Sequence, residues 1–209
     1  MKKKIIITGG LGYIGTELCK LYSGVSWHHE IIVIDNRFIS ERVNQIRNWN
    51  MEFIQGDILD KDLVQKHCEN ADVVHHLAGV TDVPRTQSEA SKAQDEKIIE
   101  VGERGTQNIL ESISDKCKII FPSTHVVYEG INEVKTNIME DEQLKPVLSY
   151  SSSKAINEKQ LKKSGKNYVI LRLGSVYGYS TDSMRIDIMP NLFSKIASQN
   201  GTLKLFAGG

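Results

Sequence analysis

The chain has 209 residues, of which 40% are hydrophobic and 25% are charged. This composition is typical of a globular domain and is too apolar for a disordered chain. The 26 basic residues balance the 26 acidic ones, so no overall field attracts phosphates. We therefore expect neither a nucleic-acid partner bound by phosphate neutralisation nor an acidic membrane surface as a partner.

The cysteines and the amino-terminal run bear on the cellular compartment. Cys19, Cys68 and Cys117 form no CxxC pair, which argues against a disulfide framework or a zinc site and favours a reducing, cytoplasmic compartment. The two histidine pairs have no converging ligands in the sequence, so we expect no metal. The apolar run at residues 5–7 is too short for an export signal. No segment reaches the ~20 apolar residues of a membrane span.

Six short runs rich in Ile and Val predict β-strands. They lie at residues 4–8, 30–35, 51–55, 72–77, 118–122 and 168–173. The runs are nearly continuous in apolar residues, which is typical of strands buried on both faces of a parallel sheet. Helical patterns lie between them, at residues 12–22, 60–69 and 89–114. This alternation predicts an α/β fold, a Rossmann-type doubly wound parallel sheet in three αβα layers.

Two stretches fall outside this alternation. Residues 128–149 show no clear pattern, and a connection of that length in a compact domain is usually a lid, a binding loop or disordered. Residues 190–209 predict a short helix at 191–198 and a last strand at 202–206.

A glycine-rich turn directly follows the first predicted strand. Gly10, Gly12 and Gly15 have the GxGxxG spacing, which lets the backbone approach a pyrophosphate at the start of a helix. Such a motif is alternatively only a structural turn. Asp35 ends the second strand, where a carboxylate would accept hydrogen bonds from the ribose hydroxyls of adenosine. This arrangement favours NAD over NADP, although the nearby Arg37 leaves NADP open.

Asp57 follows the third predicted strand. It would either bind the amine of an adenine or cap the helix predicted at residues 60–69. The sequence favours neither role over the other.

A second set of residues is suited to proton transfer. Tyr150 and Lys154 are four residues apart in a helical segment and share a face, and a cation near the phenol lowers its pKa toward the range of a working base. Such a pair is also common on solvated surfaces. Ser123 and Thr124 follow the fifth strand, at the sheet edge where ligands of this fold gather, and a hydroxyl there stabilises charge on a reacting oxygen.

Eight motifs in register make residues 4–178 resemble the extended short-chain dehydrogenase/reductases, of the NAD-dependent nucleotide-sugar epimerase/dehydratase type. The motifs are TGGLGYIG (8–15), Asp35, GDI (56–58), HLAG (76–79), GTQNIL (105–110), PSTHVVYEG (122–130), YSSSK (150–154) and LRLGSVYG (171–178). The resemblance implies an NAD-binding Rossmann domain at residues 1–178 and the start of a substrate-binding region at 179–209. Because family members continue for roughly a hundred residues more, we expect the C-terminal substrate subdomain to be truncated or absent.

The resemblance also implies roles for individual residues. Thr124, Tyr150 and Lys154 would be catalytic, with Thr124 preferred to Ser123 because it lies four residues before Tyr128 of the VYG motif. The lysine would also contact the nicotinamide ribose. The residues implied in binding NAD are Gly9, Gly12, Tyr13, Ile14, Asp35, Asn36, Asp57, Ile58, Leu77, Ala78, Gly79, Tyr150 and Lys154.

Three departures from the family pattern bear on the substrate and the activity. Gly102 stands where the family has an asparagine. Gly174 and Ser175 stand where sugar epimerases have Phe and Asn, which makes Ser175 a candidate substrate contact. His125, a second candidate substrate contact, and Val126 stand where 4,6-dehydratases have their Asp-Glu acid/base pair. We therefore rank dehydratase activity below epimerase activity.

The activity that the resemblance implies is NAD-dependent epimerisation of a nucleotide-sugar. Tyr150 would deprotonate a sugar hydroxyl while hydride passes from the same carbon to NAD, and the ketone would take the hydride back on its opposite face. The alternatives are a reductase, dehydrogenase or dehydratase of the same family, and a non-catalytic dinucleotide-binding module. We expect a homodimer formed through the helix at 89–114 and the helix that carries Tyr150, unless their apolar faces pack within one subunit.

Overall fold

A six-stranded parallel sheet forms the centre of the protein. The computed structural model describes residues 1–81, 91–180 and 184–204. The strands are β1 (Lys4–Thr8), β2 (Glu30–Asp35), β3 (Glu52–Gln55), β4 (Val73–His76), β5 (Lys118–Thr124) and β6 (Asn167–Leu173). They lie in the order β3-β2-β1-β4-β5-β6, and every neighbouring pair is parallel. The predicted doubly wound parallel sheet is confirmed.

Helices connect the strands and cover both faces of the sheet. They are α1 (Tyr13–Ser23), α2 (Ser40–Asn48), α3 (Lys61–Cys68), α4 (Lys92–Ser112), α5 (Ser149–Lys163) and α6 (Met189–Ser198). Single 3₁₀ turns lie at Ser26–His28 and His125–Tyr128. None of the helices in the described ranges has the length and apolar character needed to cross a bilayer.

The three consecutive isoleucines of β1 alternate between two hydrophobic cores, one on each face of the sheet. Ile5 and Ile7 belong to one core, which includes residues of α1 and α2, while Ile6 belongs to the other, which includes residues of α3, α4 and α5. All three side chains are at most 3% exposed. Burial on both faces is what a central strand of a three-layer αβα fold requires.

Helix α2 is missing from the elements that the sequence predicts. Its nine residues are mostly polar, and only Val43 and Ile46 are buried. Two apolar residues three apart give too weak a periodic signal to separate a helix from a loop, so the tertiary contact with the sheet stabilises this helix.

The bounds of several strands and helices differ by a few residues from the prediction. β5 continues two residues further, through Ser123 and Thr124, and α6 begins two residues earlier, with Pro190 in its first turn. The last predicted strand, at 202–206, is not formed by residues 202–204, and its remainder lies outside the described residues. The predicted start of the long helix at residue 89 also lies outside them.

His76 links three elements in the interior. Its Nδ1 lies 2.9 Å from Oγ1 of Thr8 on β1, and its Nε2 lies 3.1 Å from Oγ1 of Thr106 on α4. The ring is 1% exposed. Burial, together with the charge of Lys154, lowers its pKa to about 3, so the native protein holds it neutral.

We expect this histidine to make the protein less stable in acid. An unfolded histidine has a pKa of about 6.5, so between pH 6.5 and 3 the unfolded chain binds a proton that the native state does not. Its contribution to the free energy of unfolding therefore falls as the pH is lowered through this window, by up to about 1.4 kcal/mol per pH unit. Denaturant titrations at pH 7 and pH 4.5 measure the free energy of unfolding at each pH. The loss of stability between the two pH values should be smaller for His76→Gln than for the wild type. The exposed His28→Gln serves as the control, and an unchanged pH dependence in His76→Gln would contradict the assignment.

Candidate active site

A cavity of about 1090 Å³ opens along the carboxyl ends of the strands, next to the point between β1 and β4 where the strand order reverses. Cofactors of open α/β sheets bind at such a point, and small-molecule sites commonly measure roughly 300–1,000 Å³. All thirteen residues predicted to bind NAD line this cavity. The chain thus brings together side chains that are far apart in sequence.

The glycine turn forms one end of the cavity. Gly9 has a φ of +70°, and a Cβ there would lie 2.7 Å from the backbone nitrogen of Ala78, so only glycine allows the turn to pack against the end of β4. Helix α1 follows with Gly12 as its N-cap, which provides no side-chain acceptor for the first turn. Tyr13 and Ile14 of that first turn line the cavity. Backbone N–H groups and the positive end of a helix dipole in this position suit a pyrophosphate.

Asp35 lies where the cavity meets the end of β2. The residue is only 5% exposed. Its carboxylate accepts hydrogen bonds from the backbone N–H groups of Leu11 (2.9 Å) and Arg37 (3.0 Å). The guanidinium of Arg37 donates two more, from Nε at 3.1 Å and from Nη2 at 3.3 Å. The position agrees with the expected ribose contact, but the pairing with Arg37 was not predicted.

Asp57 does not cap helix α3. The N-cap is Asp60, whose side chain accepts from the backbone N–H of Leu63 at 3.0 Å. Asp57 lines the cavity and instead accepts a hydrogen bond from Nδ2 of Asn36 at 3.1 Å. Of its two predicted roles, the helix-cap role is therefore wrong.

The three predicted catalytic side chains line the same cavity. Thr124 ends β5, is 7% exposed, and accepts a hydrogen bond on Oγ1 from the backbone N–H of Val126 at 3.3 Å. Its own O–H is a donor that this bond does not use. Tyr150 and Lys154 lie one turn apart near the start of α5 and are half-buried.

The ammonium of Lys154 lies over the ring of Tyr150 and is held there by a backbone carbonyl. Its Nζ donates to the carbonyl of Pro122 at 2.9 Å, lies 4.5 Å from the centre of the Phe121 ring, and lies 5.8 Å from the centre of the Tyr150 ring. Burial lowers the pKa of Lys154 to about 8. The charge of this lysine is therefore maintained at neutral pH but is only weakly hydrated.

The pKa of Tyr150 differs from the sequence-based expectation. Burial raises it above the usual value, and the positive charge of Arg185 opposes that rise. Lys154 was expected to lower the pKa of the phenol, but its ammonium is directed to the carbonyl of Pro122. In the protein without ligands, Tyr150 is thus a protonated phenol at neutral pH.

A buried ion pair supports this arrangement from behind. Glu158 follows Lys154 by one helical turn and is 1% exposed. Its carboxylate accepts hydrogen bonds from Oγ of Ser123 at 2.6 Å and from Nε and Nη2 of Arg172 at 2.9 and 2.7 Å. Burial alone would raise the pKa of Glu158, but these hydrogen bonds lower it. The pair joins α5, β5 and β6 next to the predicted catalytic residues Thr124 and Lys154.

Arg172 also anchors the long connection that precedes α5. Its Nη1 donates to the hydroxyl of Tyr128 and, at 2.9 Å, to the carbonyl of Glu140. Sequence analysis missed Glu158 and Arg172. The four-residue spacing of Tyr150, Lys154 and Glu158 was the available signal, because it places all three on one helix face.

The two candidate substrate contacts are placed differently. Ser175 lines the cavity. His125 is exposed, lies in the 3₁₀ turn after β5, and has its Nδ1 3.2 Å from the carbonyl oxygen of Leu173. Within the described part of the chain, His125 is not among the residues that line the cavity. Its proposed substrate contact has no support from this placement.

Gly102 has a packing reason to depart from the family pattern. A Cβ there would overlap Oγ of Ser153, and the carbonyl of Gly102 accepts a hydrogen bond from Nδ2 of Asn157 at 2.9 Å. Helices α4 and α5 thus approach closely at this residue within one subunit. A side chain at residue 102 would have to displace the hydroxyl of Ser153 from that contact.

Fold and cavity together define a dinucleotide-binding Rossmann domain that carries a Tyr–Lys pair and a strand-end threonine. Residues 5–209 match the NAD dependent epimerase/dehydratase family, and the chain belongs to this family. Across the described residues, no group of three or more His, Cys, Asp or Glu side chains is arranged to hold a metal ion.

Relatives with both epimerase and dehydratase names are similar to this chain. The putative UDP-glucose 4-epimerase of Methanocaldococcus jannaschii is 32% identical over 187 residues, which cover 85% of this chain and 57% of that protein. The dTDP-D-glucose 4,6-dehydratase of Dictyostelium discoideum is 29% identical over 197 residues, which cover 84% of this chain and 44% of that protein. The chain thus spans about half the length of these curated relatives.

A solved structure resembles the whole chain. The UDP-glucuronic acid 4-epimerase from Bacillus cereus in complex with NAD aligns with a TM-score of 0.77 and 28% identity. The alignment covers 99% of this chain and 66% of that one.

The buried pair of Glu158 and Arg172 yields a stability prediction. Glu158→Gln leaves the guanidinium without its counter-charge, and we expect the free energy of unfolding to fall by about 3 kcal/mol, as for other broken buried pairs. Lys162→Met is the control, because Lys162 lies 3.7 Å from the same carboxylate but is about half exposed, and exposed pairs contribute less than about 1 kcal/mol. Urea denaturation measures both variants. Equal, small losses would show that the buried pair does not hold α5 in place.

Proposed function

We propose that this chain binds NAD in the cavity and acts on a nucleotide-sugar as an epimerase. The observation that carries the proposal is that Thr124, Tyr150 and Lys154 line the same cavity as the glycine turn and Asp35. A chain that only binds a dinucleotide has no need for a buried ammonium beside a phenol. The family is NAD-dependent, and the backbone N–H groups at the start of α1, which line the cavity, suit a pyrophosphate.

The side chains of this site divide the proton chemistry among them. NAD supplies the acceptor and later the donor of the hydride. Tyr150 is the group that takes the proton from a sugar hydroxyl and returns it, and the Thr124 O–H donates to the reacting oxygen as charge develops there. The ammonium of Lys154, fixed by Pro122, stabilises the phenolate that forms. Because burial raises the pKa of Tyr150, the phenol must first release its proton to solvent before it acts as the base, and positive charge added by the bound reactants favours that release.

An epimerase is favoured over a 4,6-dehydratase of the same family by the residues after Thr124. His125 and Val126 provide no carboxylate, and His125 is hydrogen-bonded to the backbone of β6. Water elimination needs an acid and a base at the leaving hydroxyl. Among the described residues, the two that follow Thr124 do not provide the Asp-Glu pair of the 4,6-dehydratases, whereas Thr124, Tyr150 and Lys154 are present.

We further propose the division of the chain into an NAD-binding domain at residues 1–178 and the start of a substrate-binding region at 179–209. Asn191 of the second part is hydrogen-bonded to Gly178, the last residue of the first part. Tyr13 donates to the carbonyl of Gly178 at 2.5 Å, and the Gly178 N–H donates to Oδ1 of Asn191 at 3.0 Å. A homodimer and a cytoplasmic location remain predictions. The apolar residues Ile98 and Ile109 of α4 are buried within one subunit.

We expect Tyr150→Phe to retain NAD binding, weakened only by the loss of one hydroxyl contact, but to lose turnover at least ~100-fold, since it lacks the proton-transfer group. Epimerised sugar is measured by NMR on a panel of UDP-, GDP- and dTDP-sugars, and NAD binding is measured by calorimetry. Tyr168→Phe, in the edge strand β6, removes a hydroxyl far from the lining and should keep full activity.

Two outcomes of the same assay would contradict the proposal in different ways. Full turnover in Tyr150→Phe would show that the phenol is not the base. Net consumption or production of NADH during turnover, followed by its absorbance, would identify a reductase or dehydrogenase, because epimerisation leaves the dinucleotide pool unchanged.

A further inference from the structure

The Asp35 carboxylate has its hydrogen-bonding capacity filled by the protein itself. Two backbone N–H groups and two guanidinium N–H groups donate to its two oxygens, all within 3.3 Å. An ionised carboxylate has about four acceptor positions. A ribose hydroxyl that is to donate to Asp35 must therefore displace the guanidinium of Arg37.

Arg37 is built to be displaced. Its side chain is 53% exposed, whereas that of Asp35 is 4% exposed. It lines the cavity, and its Nη2 lies 3.9 Å from the position of a Cβ on Gly12. The guanidinium thus lies between the glycine turn and the end of β2, where the adenosine ribose of a dinucleotide is expected in this fold.

A second cation lies at the same place. Arg42, near the start of α2, lines the cavity and donates from Nη1 to the carbonyl of Leu11. Asp35, Arg37 and Arg42 together carry one net positive charge. The two cations offset the repulsion that the carboxylate of Asp35 exerts on a phosphate.

We propose that Arg37 makes this ribose site accept a 2′-phosphate, so that NADP binds in the same cavity as NAD. The inference rests on the proposed function, because it assumes a dinucleotide in the cavity. The planar fork of a guanidinium matches the oxygens of a phosphate and binds them in a bidentate manner. With Arg37 turned to the phosphate, Asp35 keeps its two backbone donors and remains satisfied in its buried position. With NAD, the same guanidinium competes with the ribose hydroxyls for Asp35 and weakens binding.

Calorimetric titration of the chain with NAD⁺ and with NADP⁺ tests the inference without relying on turnover. We expect the two dissociation constants of the wild type to differ by less than about 30-fold. In Arg37→Ala the affinity for NADP⁺ should fall relative to that for NAD⁺ by at least ~10-fold, since a charge-assisted contact with the phosphate is lost and Asp35 is released. Arg47→Ala is the matched control, because Arg47 is an exposed arginine of the following helix α2 and does not line the cavity.

Each outcome supports or contradicts the proposed role of Arg37. A wild type that binds NAD⁺ but binds NADP⁺ more than about 30-fold more weakly overturns the role of Arg37 and leaves the proposed function intact. An affinity ratio that does not change in Arg37→Ala overturns it as well. Adenosine 2′,5′-bisphosphate and 5′-AMP, titrated in the same way, should reproduce the preference without the nicotinamide end. If neither dinucleotide binds to the folded wild type, the proposed function fails together with this inference.

Discussion

Two polar contacts, one half-buried and one buried, lie one helical turn apart on α5 and fix that helix against the end of β5. Lys154 donates to the carbonyl of Pro122 at 2.9 Å, and Glu158 accepts from the hydroxyl of Ser123 at 2.6 Å. Adjacent strand residues and residues four apart on the helix meet only in one register. The position of Tyr150 relative to Thr124 depends on this register, because Thr124 directly follows Ser123 and Tyr150 lies one helical turn before Lys154. Tight packing of α4 at Gly102 holds the helix from its other side.

The same burial that fixes the site determines its proton chemistry. It lowers the pKa of Lys154 to about 8 and raises the pKa of Tyr150, so at neutral pH Tyr150 is neutral while Lys154 keeps a charge that is only weakly hydrated. A base that is protonated at rest and a cation that is poorly hydrated respond strongly to any charge that enters a site of low dielectric constant. The glycine turn and the cations Arg37 and Arg42 lie at the other end of the cavity, where they suit the phosphates.

Much of this architecture could be predicted from the sequence. The strands at 4–8 and 30–35 have the predicted bounds, because nearly continuous Ile and Val runs are typical of strands that a parallel sheet buries on both faces. What the sequence could not show are contacts between distant elements. The pairing of Arg37 with Asp35 is local, yet nothing in the order of residues indicates that it fills every acceptor position. The ion pair of Arg172 with Glu158 depends on β6 lying beside β5. Helix α2 is stabilised by the packing of Val43 and Ile46 against residues of the sheet.

The central claim is that the end of β5 and the start of α5 present their three side chains to the nicotinamide end of a dinucleotide. A crystal structure of the chain soaked with NAD⁺ tests it most directly. The account predicts the pyrophosphate at the backbone of residues 9–14 and the nicotinamide ribose within hydrogen-bond distance of Tyr150 and Lys154. A dinucleotide bound at the glycine turn with its nicotinamide end directed away from Thr124 and Tyr150 would contradict it.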